Sequence, residues 1–356
     1  MKKNRVLVGA ITALCAAVLL AFPTAFSLAP PTTQQIIDQA SYASVIIIAN
    51  DKETPDGLVN SFGAGFFIDR NLILTNDHVI GLTGNVTIIT RDRSREYSAT
   101  TVYSDPFIDL ALVRIDNWKE FNENTDWLTL YLANETPSQG DPTIILGHPN
   151  GFPYSASKGI VSNPENIVSP KGLTIFFGQT DARLLSGNSG GPVLNSNGEV
   201  IGVANWISIV NGGSIGFYIP KRLVEKFLTA AMIEEPLTWP RMGIQLGPDN
   251  EGNGRGIIVS EIVKDSNADG TDIQIGDKIV AVKTNDDEWV TIDTPKDVLI
   301  EVTMALKGDT MTLRLENETG LREVPVLLED AMTSMEAIEA FNLDQLRSLE
   351  SDENQP

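Results

Sequence analysis

The sequence predicts a mainly β protein. From Ser44 onward short apolar runs recur: Val45 to Ala49, Thr87 to Thr90, Leu110 to Ile115, Thr143 to Leu146, Thr174 to Phe177 and Val200 to Val203. Turn-forming clusters separate them, among them Asp69-Arg70-Asn71, Thr83-Gly84-Asn85 and Asn195-Ser196-Asn197-Gly198. Little helical periodicity lies between these runs. Many short strands at such spacing suit a closed barrel or a sandwich.

The chemistry is concentrated in Gly187-Asn188-Ser189-Gly190-Gly191-Pro192. Glycine removes the steric bar to unusual dihedrals, so such a turn can aim backbone N–H groups at one point. A serine hydroxyl beside those donors supplies an attacking oxygen and a pocket for an oxyanion. Upstream, His78 follows the apolar run Leu72 to Leu74, so it sits just past a strand end. Asp109 precedes the run Leu110 to Ile115 among apolar neighbours. A buried carboxylate there needs a donor, and a histidine N–H serves. Each residue alone also has an ordinary structural reading, as a core histidine, a turn aspartate or a turn serine. Together the three appear in the order His, Asp, Ser, the order of the chymotrypsin-like double β-barrel.

Further runs extend the pattern: Gly63-Ala64-Gly65-Phe66-Phe67-Ile68, Ile73 to Val79, Asp105 to Leu112, Gln179-Thr180-Asp181-Ala182, Val200-Ile201-Gly202-Val203 and Gly216-Phe217-Tyr218-Ile219-Pro220. In these the chain resembles an HtrA/Deg-type serine protease with one PDZ domain. The resemblance implies a trypsin-like protease domain over 41–233, built as two six-stranded barrels. His78 and Asp109 come from the first barrel and Ser189 from the second, with the N–H groups of Gly187 and Ser189 as oxyanion hole. Three departures stand out. Asp77 replaces the usual asparagine, Tyr218 the usual alanine, and Leu185-Ser186 the usual asparagine-proline.

Trypsin-like pockets take basic side chains through an aspartate six residues before the serine, and Arg183 stands there. Leu184, Trp206 and Ile207 are the candidate pocket residues, for small or medium aliphatic side chains; an inward Arg183 would instead select acidic ones.

Lys221 to Ile233 reads as a helix closing this domain, with Leu223, Val224, Phe227, Leu228 and Ala231 on one face. The link Glu234 to Pro240 follows. Residues 240–328 resemble a PDZ domain, with Met242-Gly243-Ile244 as carboxylate-binding loop and Ile273 to Ile279 as the turn before a strand. Pro295 to Leu306 is the groove helix, and Met311 to Leu315 and Val324 to Leu328 are the last strands. Asn267-Ala268-Asp269-Gly270 replaces an alanine-rich helix, which is expected to be short. Such a groove takes a peptide C-terminus as an added strand; packing or oligomer contacts are the plainer use. Residues 329–356 form an acidic tail, with helical spacing over Ala331 to Glu350.

At the other end, Lys2, Lys3 and Arg5 precede an apolar run from Val6 to Phe22. Residues 1–29 read as a signal anchor or signal peptide, placing the rest in the periplasm or cell envelope. Residues 30–40 read as a polar linker. Past residue 29 no cysteine occurs, so disulfides play no part in the exported domains. Two histidines in all leave little for a zinc site, and no cofactor or metal is expected. Asp249 to Gly254 loosely resembles a calcium loop, but a solvated turn suits it better. The net charge of −21 argues against nucleic acid.

The resemblance implies protein and peptide substrates, quality control or stress signalling, membrane attachment through the N-terminal segment, and a homotrimer. The membrane-anchored DegS-like subgroup is the closest fit. A peptide sensor or chaperone with an idle protease domain, or a broad degradative protease, are the alternatives.

Overall fold

The computed structural model describes residues 30–54, 57–81, 85–92, 95–168, 175–210, 213–248, 257–329 and 331–333. Six strands close the first barrel: β1 (Ser44–Thr54), β2 (Gly57–Asp69), β3 (Leu72–Thr75), β4 (Asn85–Ile89), β5 (Glu96–Asp105) and β6 (Leu110–Ile115), in the order β1-β2-β3-β6-β5-β4. Inward residues at alternate positions fill it, among them Val45, Ile47, Ile73, Ile88 and Val113. A second barrel follows from β7 (Pro142–Gly147), β8 (Ser155–Val168), β9 (Ile175–Thr180), β10 (Pro192–Leu194), β11 (Val200–Val210) and β12 (Gly213–Pro220), in the order β10-β11-β12-β9-β8-β7. Closure removes the unpaired strand edges that a sandwich would leave.

The second barrel absorbs one of the sequence departures. Tyr218 is fully buried against Ile145, Val161, Leu184 and Val193. Its ring occupies the space beside Gly178, where a Cβ would come within 2.0 Å of it. Among the described residues its buried hydroxyl has no hydrogen-bond partner. Burial, then Glu165 and Asp141, push its pKa far above the ordinary phenol value.

Residues 30–40 are not a plain spacer. Helix α1 (Thr33–Ala43) occupies most of that span, and a reciprocal capping box between Thr32 and Gln35 starts it. Ile36 and Ala40, one helical turn apart, are buried in the core shared with both barrels. The remaining helices of the protease region are α2 (Asp77–Ile80), α3 (Trp118–Asn124) and α4 (Lys221–Ile233). In α4 the buried face is Leu223, Val224, Phe227 and Ala230, the spacing of an amphipathic helix.

A second unit has its own core, including Ile257, Val259, Ile279, Leu313 and Val326. Its sheet runs β14-β15-β16-β18-β19, with β17 beside β16. These strands are β14 (Ile244–Pro248), β15 (Ile257–Ile262), β16 (Lys278–Thr284), β17 (Val290–Thr291), β18 (Thr310–Asn317) and β19 (Gly320–Leu327). Helix α5 (Pro295–Met304) ends two residues before the predicted boundary. Turns alone occupy 264–270, so the short helix expected there does not form. Asp265 takes a positive φ of 62°, and Asp269 accepts its N–H, favouring turn over helix.

Two short strands join the ends of this unit. Thr238–Pro240, β13, pairs with Ala331–Thr333, β20, which the sequence reads as the start of a helix. Trp239 explains the pairing: it is buried against Phe107, with ring centroids 4.8 Å apart. Lys226 of α4 is buried beside it and donates to the carbonyls of Thr303 (2.5 Å) and Ala305 (2.7 Å), at the end of α5. Burial lowers the Lys226 pKa to about 7, against the raising pull of Asp105 and Asp309. The apolar run before residue 29, the Asp249 to Gly254 segment and most of the acidic tail lie outside the described residues.

Candidate active site

His78 and Asp109 meet at one end of the first barrel. Strand β3 ends at Thr75, and His78 sits in the single turn of α2 that follows. Asp109 lies in the tight connection between β5 and β6, at a φ of 60°. That left-handed conformation is uncommon for a residue with a side chain, though aspartate tolerates it better than most. Here it is held from both ends: Asn76 Nδ2 donates to its carbonyl at 2.8 Å, and its carboxylate accepts twice from His78.

Those two bonds define the imidazole. The His78 backbone N–H donates to Asp109 Oδ1 at 2.7 Å, and ring Nδ1 lies 2.6 Å from Oδ2. An ionised carboxylate only accepts, so Nδ1 carries the hydrogen and Nε2 keeps its lone pair. The His78 side chain is about half exposed (48%) and lines a cleft of about 540 Å³ with Asn60, Ser61, Phe62, Gly151, Ser186, Gly187 and Ser189. All three sequence-predicted triad positions thus converge on the cleft or on each other.

The serine turn crosses from the second barrel. Asn188 N–H donates to Leu185 O at 3.0 Å, closing a four-residue turn with Gly187 third at a φ of 99°. A positive φ at that position is what a type II turn requires, and glycine supplies it without strain. The carbonyls on either side are tied down: Gly187 O accepts from His148 N–H at 3.1 Å, and Ser189 O from Ala64 N–H at 2.8 Å. By contrast, among the described residues the N–H groups of Gly187 and Ser189 donate to no protein acceptor, while those of Asn188, Gly190 and Gly191 all do. Two unspent donors beside one hydroxyl are what an oxyanion pocket requires. The Ser189 hydroxyl itself donates to Asn205 O at 2.9 Å.

Electrostatics around His78 are unusual. Asp77 is raised to about 6, first by burial and then by Asp109, with Asp105 adding to it; a Ser104 hydrogen bond and His78 oppose the rise. Asp105 is itself buried, where it caps the N–H groups of Phe107 and Ile108 at 3.0 Å. Three carboxyl groups therefore crowd the loop that orients one imidazole.

The predicted pocket residues divide. Leu184 is buried in the second barrel's core, with Ile207 packed against it half-buried. Trp206, next to Asn205, is partly exposed and stacks on Phe217 at 4.1 Å between centroids. Arg183 is exposed, so it does not present a buried cation to a substrate. None of the four lines the cleft at Ser189, whose wall includes Phe62. In the second unit Met242 is buried in the core, and Gly243 has a φ of 82° with its carbonyl accepting from Val263 N–H at 2.8 Å. Among the described residues no cluster of histidine, cysteine, aspartate and glutamate suits a metal ion.

Comparison with known proteins agrees with this geometry. Residues 63–203 match the family model of the trypsin-like peptidase domain. The chain is 27% identical over 82% of its length to a probable periplasmic serine endoprotease DegP-like of Chlamydia pneumoniae, covering 60% of that protein. Against the periplasmic serine endoprotease DegP of Escherichia coli K12 it is 33% identical over 62% of its length, covering 48% of that protein. It therefore spans roughly half to three fifths of these relatives. Among solved structures, the HtrA-type protease AlgW with tripeptide superposes with a TM-score of 0.64 at 24% identity, covering 85% of this chain and 98% of that one. That likeness speaks to the fold. Residues 63–203 thus match a trypsin-like peptidase domain, and the chain is similar to the HtrA/DegP-type serine endoproteases over the spans given.

Proposed function

We propose that the chain is a serine endopeptidase of the cell envelope in which Ser189 attacks a peptide carbonyl. The observation that carries this is the pairing of the Asp109-bound imidazole with two unspent amides around one serine. The Ser189 hydroxyl leaves the Asn205 carbonyl and turns to Nε2 of His78, which takes its proton. Asp109 holds the ring and stabilises the imidazolium. The amides of Gly187 and Ser189 receive the oxyanion; one such donor typically supplies about 3 kcal/mol of transition-state stabilisation. His78 then returns the proton to the leaving amine, and water releases the acyl group by the same steps in reverse roles.

The second unit is read as a PDZ domain that takes peptide C-termini. Among the described residues strand β14 is the edge of its sheet, beside α5, so one row of its backbone groups would be open to an added strand. The loop at Met242-Gly243-Ile244 is where the terminal carboxylate would sit. The periplasmic names of the relatives support an envelope location, with a role in protein quality control or stress signalling, N-terminal membrane attachment and trimeric assembly as the corresponding finer readings.

The test is hydrolysis of unfolded casein with and without hydrophobic C-terminal peptides. The wild type should cleave it, and Ser189→Ala should fold and lose at least about 10³-fold in rate. An undiminished rate in that variant removes the proposal. A wild type that binds such peptides but cleaves nothing would favour a sensor over an enzyme.

A further inference from the structure

We infer that His148 is a positioning residue for the oxyanion pocket, one that holds Gly187 so that its amide stays directed into the cleft. The inference rests on the peptidase reading of that cleft. His148 is the second of only two histidines and takes no part in the triad. It follows β7 directly and is fully buried.

Its bonds reach three parts of the molecule. The His148 backbone N–H donates to Gly187 O at 3.1 Å. Ring Nδ1 accepts the Tyr154 backbone N–H at 3.0 Å, and Nε2 lies 3.0 Å from Val45 O in β1. Because Nδ1 accepts, it carries a lone pair. The hydrogen must then sit on Nε2, which donates to the Val45 carbonyl. One nitrogen is thus fixed to the first barrel and the other to the loop that follows β7 in the second. The rings of Phe62 and Tyr154 stand edge-on to it at 6.5 and 4.8 Å, so the imidazole has no room to swing.

This pinned ring sets where the His148 main chain lies, and that main chain sets Gly187. Its carbonyl is 2.4 Å from the point a Gly187 Cβ would occupy, so the two backbones pass in contact. Gly187 O is held by His148 N–H on one side of the residue; Gly187 lines the cleft, and among the described residues its own N–H donates to no protein acceptor. Only two soft torsions separate these groups, so anchoring the carbonyl restricts the amide. A donor displaced by a fraction of an ångström serves an oxyanion poorly, since catalysis here depends on preorganised geometry. His148 touches no reacting atom and acts only through Gly187.

The test compares His148→Phe, which keeps a flat ring without nitrogens, with His148→Gln, which restores an amide donor. Steady-state cleavage of a fluorogenic peptide is measured beside the affinity of the matching peptidyl boronate, whose oxygen occupies the oxyanion pocket. His148→Phe should lower kcat by about 10- to 100-fold and weaken the boronate in parallel, with KM changed less than about threefold. His148→Gln should recover most of the loss. An unchanged kcat in His148→Phe, or a loss carried by KM with boronate affinity intact, overturns the inference. If His148→Phe does not fold, nitrogen shifts in the wild type decide: a neutral Nε2–H tautomer is expected, and an Nδ1–H tautomer would break the Tyr154 bond and end the case. A wild type that no fluorophosphonate labels removes the peptidase reading and this inference together. A labelled wild type with an unimpaired His148→Phe removes this inference alone.

Discussion

The two barrels prepare their halves of the cleft in different ways. In the first, side chains do the work: Asp109 accepts from the His78 backbone at 2.7 Å and faces its ring at 2.6 Å, so the acid–base pair is assembled in the resting protein. In the second, the backbone does it. The amides of Gly187 and Ser189 stand ready because their carbonyls are anchored, while the Ser189 side chain is engaged by Asn205 at 2.9 Å. On the proposed peptidase reading, His78 and the two amides would be set in place before substrate arrives, and the Ser189 hydroxyl would have to leave Asn205 O to act.

The largest effect should come from breaking the first-barrel half. Asp109→Asn keeps the shape but cannot hold His78 in the same tautomer, and kcat/KM should fall by about 10³- to 10⁴-fold. Because His78 N–H can still donate to the amide oxygen, melting should change little; a large loss of Tm with modest loss of rate would mean that Asp109 serves the fold instead.

A smaller effect sharpens the electrostatic contrast. Asp77 has its pKa raised from 3.8 to about 6, so its folded form resists ionisation. The linkage to stability has a definite sign. The cost of ionising Asp77 is absent below pH 3.8, grows as pH rises towards about 6, and is complete above it. The asparagine variant should therefore gain over the wild type in denaturant titrations at pH 7.5 and not at pH 3.5.

The smallest effect on rate tests the second barrel's frame. Gly178 leaves the space that the Tyr218 ring fills. Gly178→Ala should cost about 1–3 kcal/mol in stability through overpacking, with kcat of the folded fraction changed less than about threefold. A specific loss of kcat at full stability would show that this frame is part of the site.

The sequence makes some of this legible and hides the rest for a physical reason. His78, Asp109 and Ser189 can be found because each sits in a local context suited to its chemistry, and their order is informative. Helix α4 is equally plain from Leu223, Val224 and Phe227 at helical spacing, although Ala230 is buried while Leu228 and Ala231, which the spacing also puts on that face, are only partly so. Helix α1 is obscured by its polar composition, although the Thr32 and Gln35 pair announces its start. Strand β20 is masked by helical spacing further along, and only the partner strand at Trp239 reveals it. His148 is the clearest case. Its bonds run to Val45, 103 positions away, and no local pattern records them. The one available signal is that a rare residue type closes an apolar strand just before Pro149-Asn150-Gly151.

The most direct measurement is fluorophosphonate labelling with the modified residue mapped by mass spectrometry, in the wild type and in His78→Ala. The account predicts a single adduct on Ser189 in the wild type, formed at a rate that falls by at least about 10³-fold without the imidazole. Equal labelling in both proteins, or an adduct on any other serine, would contradict it.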